Sequence, residues 1–144
     1  MRKPKMVGVN HIALEVGDVE EALTFYGKIF DFKLRGRGSG RAIIDMGDQF
    51  IALMSGRSQT PDAQRHFGLV VDDLGALSEL AREAGATILD HRFLDFLDPW
   101  GNRVQAVEYR DLQFAKTDMV ISQMGLELDK SEKARRNMRA KNLV

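Results

Sequence analysis

The chain has 144 residues, of which 44% are hydrophobic and 29% are charged, a size and mixture typical of one globular domain. Its 21 Lys and Arg residues balance 21 Asp and Glu residues, and a formal net charge of zero argues against a dedicated nucleic-acid-binding or anionic-membrane-binding protein. The absence of cysteine excludes disulfides, thiolate nucleophiles and thiol-ligated metal sites. No apolar run reaches the roughly 20 residues of a membrane span, and no apolar signal-peptide segment follows the charged residues 1–5. We therefore expect a cytoplasmic protein without nucleic-acid or membrane partners.

The first predicted element is a strand at residues 11–16, where apolar side chains occupy every second position. A helical pattern follows Asp18, which is placed to cap a helix, with Glu21 at the capping-box position. Strand-like segments at residues 32–37, 41–46 and 49–54 come next, separated by turn residues. A polar segment over residues 55–64 predicts a linker.

The second half of the chain repeats the first. Residues 11–19 and 66–74 both fit the pattern His-x-x-Leu-x-Val-x-Asp-(Val/Leu), 55 residues apart (66 − 11). A second helical stripe follows Asp73 and ends near Gly85, and strand-like segments lie at residues 87–89, 93–97 and 103–109. The sequence predicts an α+β domain over residues 7–110, built from two βαβββ modules at 7–54 and 65–110. We expect the modules to lie side by side, their curved mixed sheets joined into one larger sheet around a cleft.

Residues 111–144 are predicted to form a C-terminal helical extension. Thr117 is placed to cap a short helix that Gly125 ends, and a basic helix begins near Asp129 or Ser131. We expect the apolar part of this extension to pack on its own domain or on a partner subunit.

Strand alternation turns four positions of the repeat away from the helices. His11 and His66 occupy equivalent places in the first strands, and Ala52 and Gln105 occupy equivalent places in the last strands. Two imidazoles related by a repeat indicate a metal site, because histidine is the commonest protein ligand of transition metals. The alternative is that each histidine only begins a strand and satisfies a backbone hydrogen bond. His91 has no equivalent role, and we expect it to be a surface or hydrogen-bonded residue.

These features resemble the vicinal oxygen chelate superfamily, which includes glyoxalase I, bleomycin-resistance proteins and extradiol dioxygenases. The resemblance rests on residues 11–18, the helix phrase ALTFY at 22–26, the repeat at 66 and the turn DPWGN at 98–102. It implies paired βαβββ modules around a cleft, frequent dimerisation, and metal ligands in the first and last strands of each module. The matching positions in this sequence are His11, Ala52, His66 and Gln105. Alanine cannot bind a metal, and Gln105 offers one neutral oxygen. The candidate ligands are therefore His11, His66 and Gln105, for a divalent Ni, Zn, Mn, Fe or Co ion.

The resemblance implies a small-molecule enzyme in which the ion chelates vicinal substrate oxygens and stabilises an oxyanion, in lyase, isomerase or dioxygenase chemistry. No Glu stands at the matched positions to act as a general base, so we assign no catalytic residue and do not expect glyoxalase I isomerisation. No organic cofactor site is expected. One alternative is a metal-free protein of the bleomycin-resistance type that sequesters a ligand in the same cleft, and a third possibility is a degenerate domain that serves only as a scaffold. Ala52 and Gln105 favour the ligand-sequestering protein, whereas the histidine pair favours the enzyme. We expect a homodimer in either case.

Overall fold

The computed structural model describes residues 1–144, and the first module is a βαβββ unit. Its elements are β1 (His11–Val16), α1 (Val19–Ile29), β2 (Leu34–Gly38), β3 (Arg41–Asp45) and β4 (Phe50–Ser55). The strand order is β1-β4-β3-β2, with β1 parallel to β4 and the other neighbours antiparallel.

The second module repeats this arrangement. Its elements are β5 (Phe67–Val71), α2 (Leu74–Glu83), β6 (Thr87–Leu89), β7 (Leu94–Leu97) and β8 (Arg103–Glu108), in the order β5-β8-β7-β6. Two further helices, α3 (Asp118–Gln123) and α4 (Glu132–Ala140), form the C-terminal extension. The structure confirms the α+β class with two βαβββ modules and C-terminal helices. None of the helices combines the length and the apolar content that a membrane crossing requires.

The helices begin where their capping residues predict. The Asp18 carboxylate accepts a hydrogen bond from the backbone N–H of Glu21 at the start of α1, and Asp73 does the same for Ala76 at the start of α2. Each cap satisfies a backbone donor that has no partner within the helix. Gly85 follows α2 with a φ of +88°, a left-handed conformation that glycine adopts without strain.

One face of each sheet is covered by helix, and we call the other face the open face. Residues of β1 and β4 that alternate toward α1, such as Leu14, Val16 and Leu53, are buried, as are Val104 and Ala106 of β8. Buried residues of both modules form a single apolar cluster, and α1 contacts α2. The two modules therefore pack through their helical sides.

This packing differs from the expected single curved sheet. The two four-stranded sheets remain separate, and β1 and β5 are both edge strands with one neighbour each. The physical reason is burial: the buried apolar residues of the two helices and the helix-covered sheet faces form one cluster, and removing apolar surface from water is the dominant favourable term in folding. Because both helix-covered faces contribute to one core, both open faces lie on the outer surface of the chain.

The turn at residues 98–102 joins the modules. The Asp98 carboxylate accepts hydrogen bonds from Tyr26 Oη of α1 at 2.7 Å and from the backbone N–H of Asn102 at 2.8 Å. Asn102 in turn donates to the carbonyl of Glu15 in β1. A Cβ on Gly101, whose φ is +89°, would lie 2.6 Å from Pro61 Cα. Burial and the adjacent Asp98 carboxylate raise the pKa of Tyr26 well above its ordinary value. The turn therefore connects the second module to α1 and β1 through hydrogen bonds.

The C-terminal extension packs on its own chain, which was one of the two expected arrangements. A Cβ on Gly47, in the β3–β4 turn, would lie 2.7 Å from Met124 Sδ, so the end of α3 lies directly against that turn. Ala134 and Met138 of α4 are buried. The Lys130 ammonium donates to three backbone carbonyls, including that of Leu112 at 3.0 Å.

Tyr109 departs from the expected pattern of the last strand. The sequence predicted a strand over residues 103–109, in which strand alternation would turn the Tyr109 side chain onto the open face. Instead β8 ends at Glu108, Tyr109 begins a short 3₁₀ turn, and its ring is buried with Lys130 Nζ 3.4 Å from the ring centroid. The extension that follows the strand covers this ring, and a periodic pattern within the strand carries no information about such a contact.

Candidate metal centre

His66 and Gln105 lie on the open face of the second sheet. Gly68 of β5 is directly opposite Gln105 of β8 in the parallel ladder, and His66 lies two residues before Gly68 and is exposed. Side chains two residues apart in an extended chain point to the same side, so His66 and Gln105 are diagonal neighbours. The structure thus brings together two of the three candidate ligands.

The amide of Gln105 has a defined orientation. Its Nε2 donates a hydrogen bond to Asp95 Oδ1 at 3.2 Å, and Asp95 lies directly opposite Gln105 on β7. An ionised carboxylate can only accept hydrogen bonds, so the amide nitrogen must be the atom that faces Asp95. The carbonyl oxygen Oε1 of Gln105 is then directed away from Asp95 and has no hydrogen-bond partner within the chain. This is the atom that a metal ion would need.

Asp95 is fully buried and is held in its charged form. Arg103 Nε donates to Asp95 Oδ2 at 2.8 Å, and the guanidinium forms an ion pair with the same oxygen. Burial by itself raises the pKa of this carboxyl group, but the hydrogen bonds from Arg103 and Gln105 and the charge of Arg103 outweigh it, so the pKa of Asp95 lies below its ordinary value. The carboxylate is therefore a permanent acceptor for Gln105 at neutral pH.

His66 is oriented by the backbone before β5. Its Nδ1 lies 2.7 Å from the carbonyl oxygen of Gln64. A carbonyl oxygen only accepts, so Nδ1 carries the proton and the lone pair of the neutral ring is on Nε2. Metal-binding histidines commonly donate their second ring N–H to a carbonyl or carboxylate in this way. The sequence hypothesis of a strand-initiating histidine with a backbone hydrogen bond is compatible with this geometry, since the same bond leaves Nε2 free.

His11 lies on the open face of the first sheet. Its Nδ1 is 2.8 Å from Asn10 Oδ1, and its ring stacks on Phe50, with centroids 4.6 Å apart and planes 6° from parallel. Nε2 is again the free nitrogen. Ala52, the position equivalent to Gln105, is half-buried opposite Ala13 and offers no ligand atom. His11 is therefore the one imidazole on this face.

A single chain does not assemble all three candidate ligands. His11 is on one sheet, His66 and Gln105 are on the other, and the sheets are not paired. No group of three His, Cys, Asp or Glu side chains in the chain is arranged to hold a metal ion. The expected convergence of the two histidines in a cleft within one chain is thus not seen, because the modules pack through their helices.

Sequence reasoning did not find Asp95 and Arg103 as part of the site. A signal was present: Asp95 is the single charged residue in the apolar strand segment 93–97, and a charge in such a position is rarely buried without a partner. The partner itself, eight residues downstream across a hairpin, could not be identified from the periodic pattern.

The comparisons with known proteins agree with this architecture. The family model described as Glyoxalase/Bleomycin resistance protein/Dioxygenase superfamily matches residues 8–106. A glutathione transferase FosA from Serratia marcescens is 27% identical over 109 residues, which are 67% of this chain and 77% of that protein. A metallothiol transferase FosB from Bacillus licheniformis is 24% identical over 119 residues, which are 73% of this chain and 77% of that protein.

Solved structures show the same fold. A mutant of the genomically encoded fosfomycin resistance protein FosX from Listeria monocytogenes, in complex with Mn(II) and 1S,2S-dihydroxypropylphosphonic acid, superimposes with a TM-score of 0.63. The superposition covers 71% of this chain and 90% of that one at 17% identity. The family match extends over more than half of the chain, so the chain belongs to the Glyoxalase/Bleomycin resistance protein/Dioxygenase superfamily.

Proposed function

We propose that this protein is a metal-dependent enzyme that acts on a small molecule, with a divalent ion held by His11, His66 and Gln105. The observation that carries the proposal is the orientation of the three side chains. Each has one polar atom bonded to an oxygen acceptor of the chain and its ligand atom left free. This is the arrangement by which outer partners fix the tautomer and direction of metal ligands. Two relatives, a metallothiol transferase and a protein in complex with Mn(II), support a divalent ion as the cofactor.

The complete site is formed by two copies of the chain. Both open faces are on the outer surface, so the face with His11 can meet the face with His66 and Gln105 of a second copy. The edge strands β1 and β5 are unpaired on their outer sides, and residues 1–10 carry fully exposed apolar side chains such as Met6 and Val7. Unpaired edges and exposed apolar residues are features that association covers. The functional unit is therefore a homodimer.

The ligand set determines the kind of substrate. Two imidazoles and one amide oxygen are neutral donors, so they leave the full double charge of the ion uncompensated and several coordination positions open. Such an ion would act as a Lewis acid on substrate oxygens. The side chains of this chain contribute orientation: the Asp95 and Gln64 acceptors keep Gln105 and His66 in their binding conformations. The substrate class is an anionic or chelating small molecule with vicinal oxygens, and the reaction class is lyase, isomerase, dioxygenase or transferase chemistry through a stabilised oxyanion.

A second candidate is a metal-free protein that sequesters a small ligand. Ala52 at a ligand position and the stacked pair of His11 and Phe50 favour it, since an aromatic surface beside a small side chain can receive a flat ligand. The two candidates differ in whether any ion binds at all.

The test is a metal titration of protein stripped with a chelator. Mn²⁺, Ni²⁺, Zn²⁺, Fe²⁺ and Co²⁺ are added while the melting temperature is followed, because an ion that binds the folded state raises it by mass action. The shift is expected in the wild type and in Gln123→Ala, an exposed glutamine on α3 that serves as the control for Gln105→Ala. It is expected to disappear in His11→Ala and in His66→Ala, and to be smaller in Gln105→Ala. An unchanged melting temperature with every ion would reject the enzyme in favour of the sequestering protein.

The shared site has its own test. His11→Ala and His66→Ala homodimers are unfolded together and refolded as a mixture. A heterodimer then contains one site with both histidines intact and one site with neither, so metal binding should return to about half of the heterodimer sites, although each parent binds none. If the refolded mixture binds no metal while the wild type treated in the same way does, both histidines of a site come from the same chain.

A further inference from the structure

His91 and Gln105 share one acceptor atom. Asp95 Oδ1 lies 3.1 Å from His91 Nδ1 and 3.2 Å from Gln105 Nε2, while Asp95 Oδ2 is taken by Arg103. The two donor atoms, His91 Nδ1 and Gln105 Nε2, are therefore separated by no more than the sum of these two hydrogen-bond lengths. His91 lies in the loop between β6 and β7, and the sequence assigned it no role at the site.

The shared carboxylate also determines which nitrogen of His91 is free. Because the ionised carboxylate only accepts, Nδ1 must carry the ring proton, and the lone pair of the neutral ring lies on Nε2. The backbone N–H of Phe93 approaches the same Nδ1 at 3.4 Å, but a protonated nitrogen cannot accept that bond. The shorter contact with a charged acceptor is the stronger of the two, so the Asp95 bond determines the tautomer.

His91 and Gln105 are more exposed than the carboxylate that they share. Asp95 has no exposed surface, whereas 41% of the His91 side chain is exposed. The imidazole and the amide thus lie over the carboxylate, with their bonded nitrogens turned toward it. His91 Nε2 and Gln105 Oε1 are the polar atoms of these two side chains that the hydrogen bonds to Asp95 leave free.

We propose that His91 is a further ligand of the metal ion, and that Asp95 is the positioning residue that aims both His91 and Gln105 at it. This inference rests on the proposed function, since it adds a third imidazole to the same site. His91 has the same arrangement as His11 and His66, with Nδ1 bonded to an oxygen acceptor and Nε2 free. A carboxylate behind a ligating imidazole is a recurrent feature of metal sites. The third imidazole supplies a donor that Ala52 cannot.

The experiment counts the imidazoles bound to Cu²⁺. Pulsed electron paramagnetic resonance of the stripped homodimer loaded with Cu²⁺ detects the remote nitrogen of each coordinated imidazole. We expect three imidazoles per site in the wild type and two in His91→Ala. The matched control is Arg92→Ala, which changes the exposed neighbour of His91 and should leave three.

Asp95→Asn tests the positioning role. The substituted amide can turn its nitrogen toward Gln105 and His91, which removes the constraint on their orientation without removing a ligand. Isothermal titration with Ni²⁺ should show an affinity about 10-fold to 100-fold lower, the usual range for an outer partner of a ligand. Circular dichroism of the same sample establishes whether the variant is folded. If Asp95→Asn does not fold, His91→Ala, at an exposed position, carries the test alone.

The outcomes separate this inference from the proposed function. If His11→Ala and His66→Ala lose the ion but His91→Ala retains the wild-type spectrum and affinity, His91 is not a ligand and the proposed function stands. If the wild type binds neither Cu²⁺ nor Ni²⁺, the inference about His91 and the proposed function are both rejected. Loss of one coordinated imidazole in His91→Ala, together with weaker Ni²⁺ binding in Asp95→Asn, supports the inference.

Discussion

The open faces of the two sheets carry different side chains at equivalent positions. In the first module Ile43 lies opposite Ala52, and in the second module Asp95 lies opposite Gln105. The first face offers one imidazole beside an aromatic ring, whereas the second holds a buried carboxylate surrounded by three polar donors. The two modules thus share a scaffold, but the fully buried carboxylate lies on the second open face. With one candidate ligand, the first face could contribute to a metal site only by meeting the other face.

The same asymmetry is present in the helices. Tyr26 of α1 donates its hydroxyl hydrogen to Asp98 at the joint between the modules, and the position 55 residues later is Ala81 of α2, which is fully buried in the shared core. The repeat therefore supplies a polar contact on one side of the joint and a close helix approach on the other.

The largest expected effect comes from removing the fully buried carboxylate of the second face. Asp95→Ala leaves Arg103, which is 14% exposed, without its anionic partner, and the loss of one member of a buried ion pair should lower the free energy of unfolding by about 3 kcal/mol. Urea unfolding followed by circular dichroism measures this loss. The matched change on the first face, Ile43→Ala, should lower it by about 1 kcal/mol, because that side chain is only partly buried. Equal losses would contradict the distinction between the two faces.

The joint between the modules should respond to a smaller change. Tyr26→Phe removes the hydroxyl that Asp98 accepts, and a hydrogen bond to a buried carboxylate contributes about 2 kcal/mol. Thermal unfolding of the two proteins at neutral pH gives the difference. The control is Tyr109→Phe, which removes a hydroxyl with no hydrogen bond in the chain and should leave the stability nearly unchanged. A larger loss of stability in Tyr109→Phe than in Tyr26→Phe would show that the hydrogen bond between Tyr26 and Asp98 is not the main polar contact between the modules.

A ligand added to the poorer face should strengthen metal binding. Ala52→Glu introduces a carboxylate at the position equivalent to Gln105, and a negative donor should increase the affinity for Mn²⁺ about tenfold, equivalent to about 1.4 kcal/mol. Isothermal titration of the stripped protein measures the binding constant. Ala13→Glu, on the neighbouring strand directly opposite Ala52, adds the same charge to the same face. Similar gains in both variants would indicate a general electrostatic effect rather than a ligand.

The smallest expected effect is a change in the acid dependence of stability. The pKa of Asp95 is lower in the folded protein than in the unfolded chain, so its contribution is complete above the unfolded value of about 4 and is lost as the pH falls through the folded pKa. Asp95→Asn should therefore flatten the decline of the unfolding free energy below about pH 4. Asp90→Asn, at an exposed position in the preceding loop, is the control. If the unfolding free energy of Asp95→Asn declines as steeply in acid as that of the wild type, other carboxylates account for the loss of stability.

The candidate site was predictable in part. Strand alternation correctly placed His66 and Gln105 on the open face, because the period of two is a local property of extended backbone. It could not indicate that Asp95 orients Gln105, since that contact crosses a hairpin and depends on which strand lies next to β8. It also could not indicate that Tyr109 leaves the strand to be covered by Lys130, a contact made by a segment 21 residues downstream.

The amino-acid sequence by itself determined the modules, their helix caps and the direction of the histidine side chains. Repetition, capping residues and periodicity act over a few neighbouring residues, so they can be recognised without knowing the rest of the fold. Only the tertiary structure decided that the modules bury their helical sides against each other and leave His11 and His66 on separate outer faces. That choice depends on how much apolar surface each alternative packing removes from water, which is a property of the whole molecule.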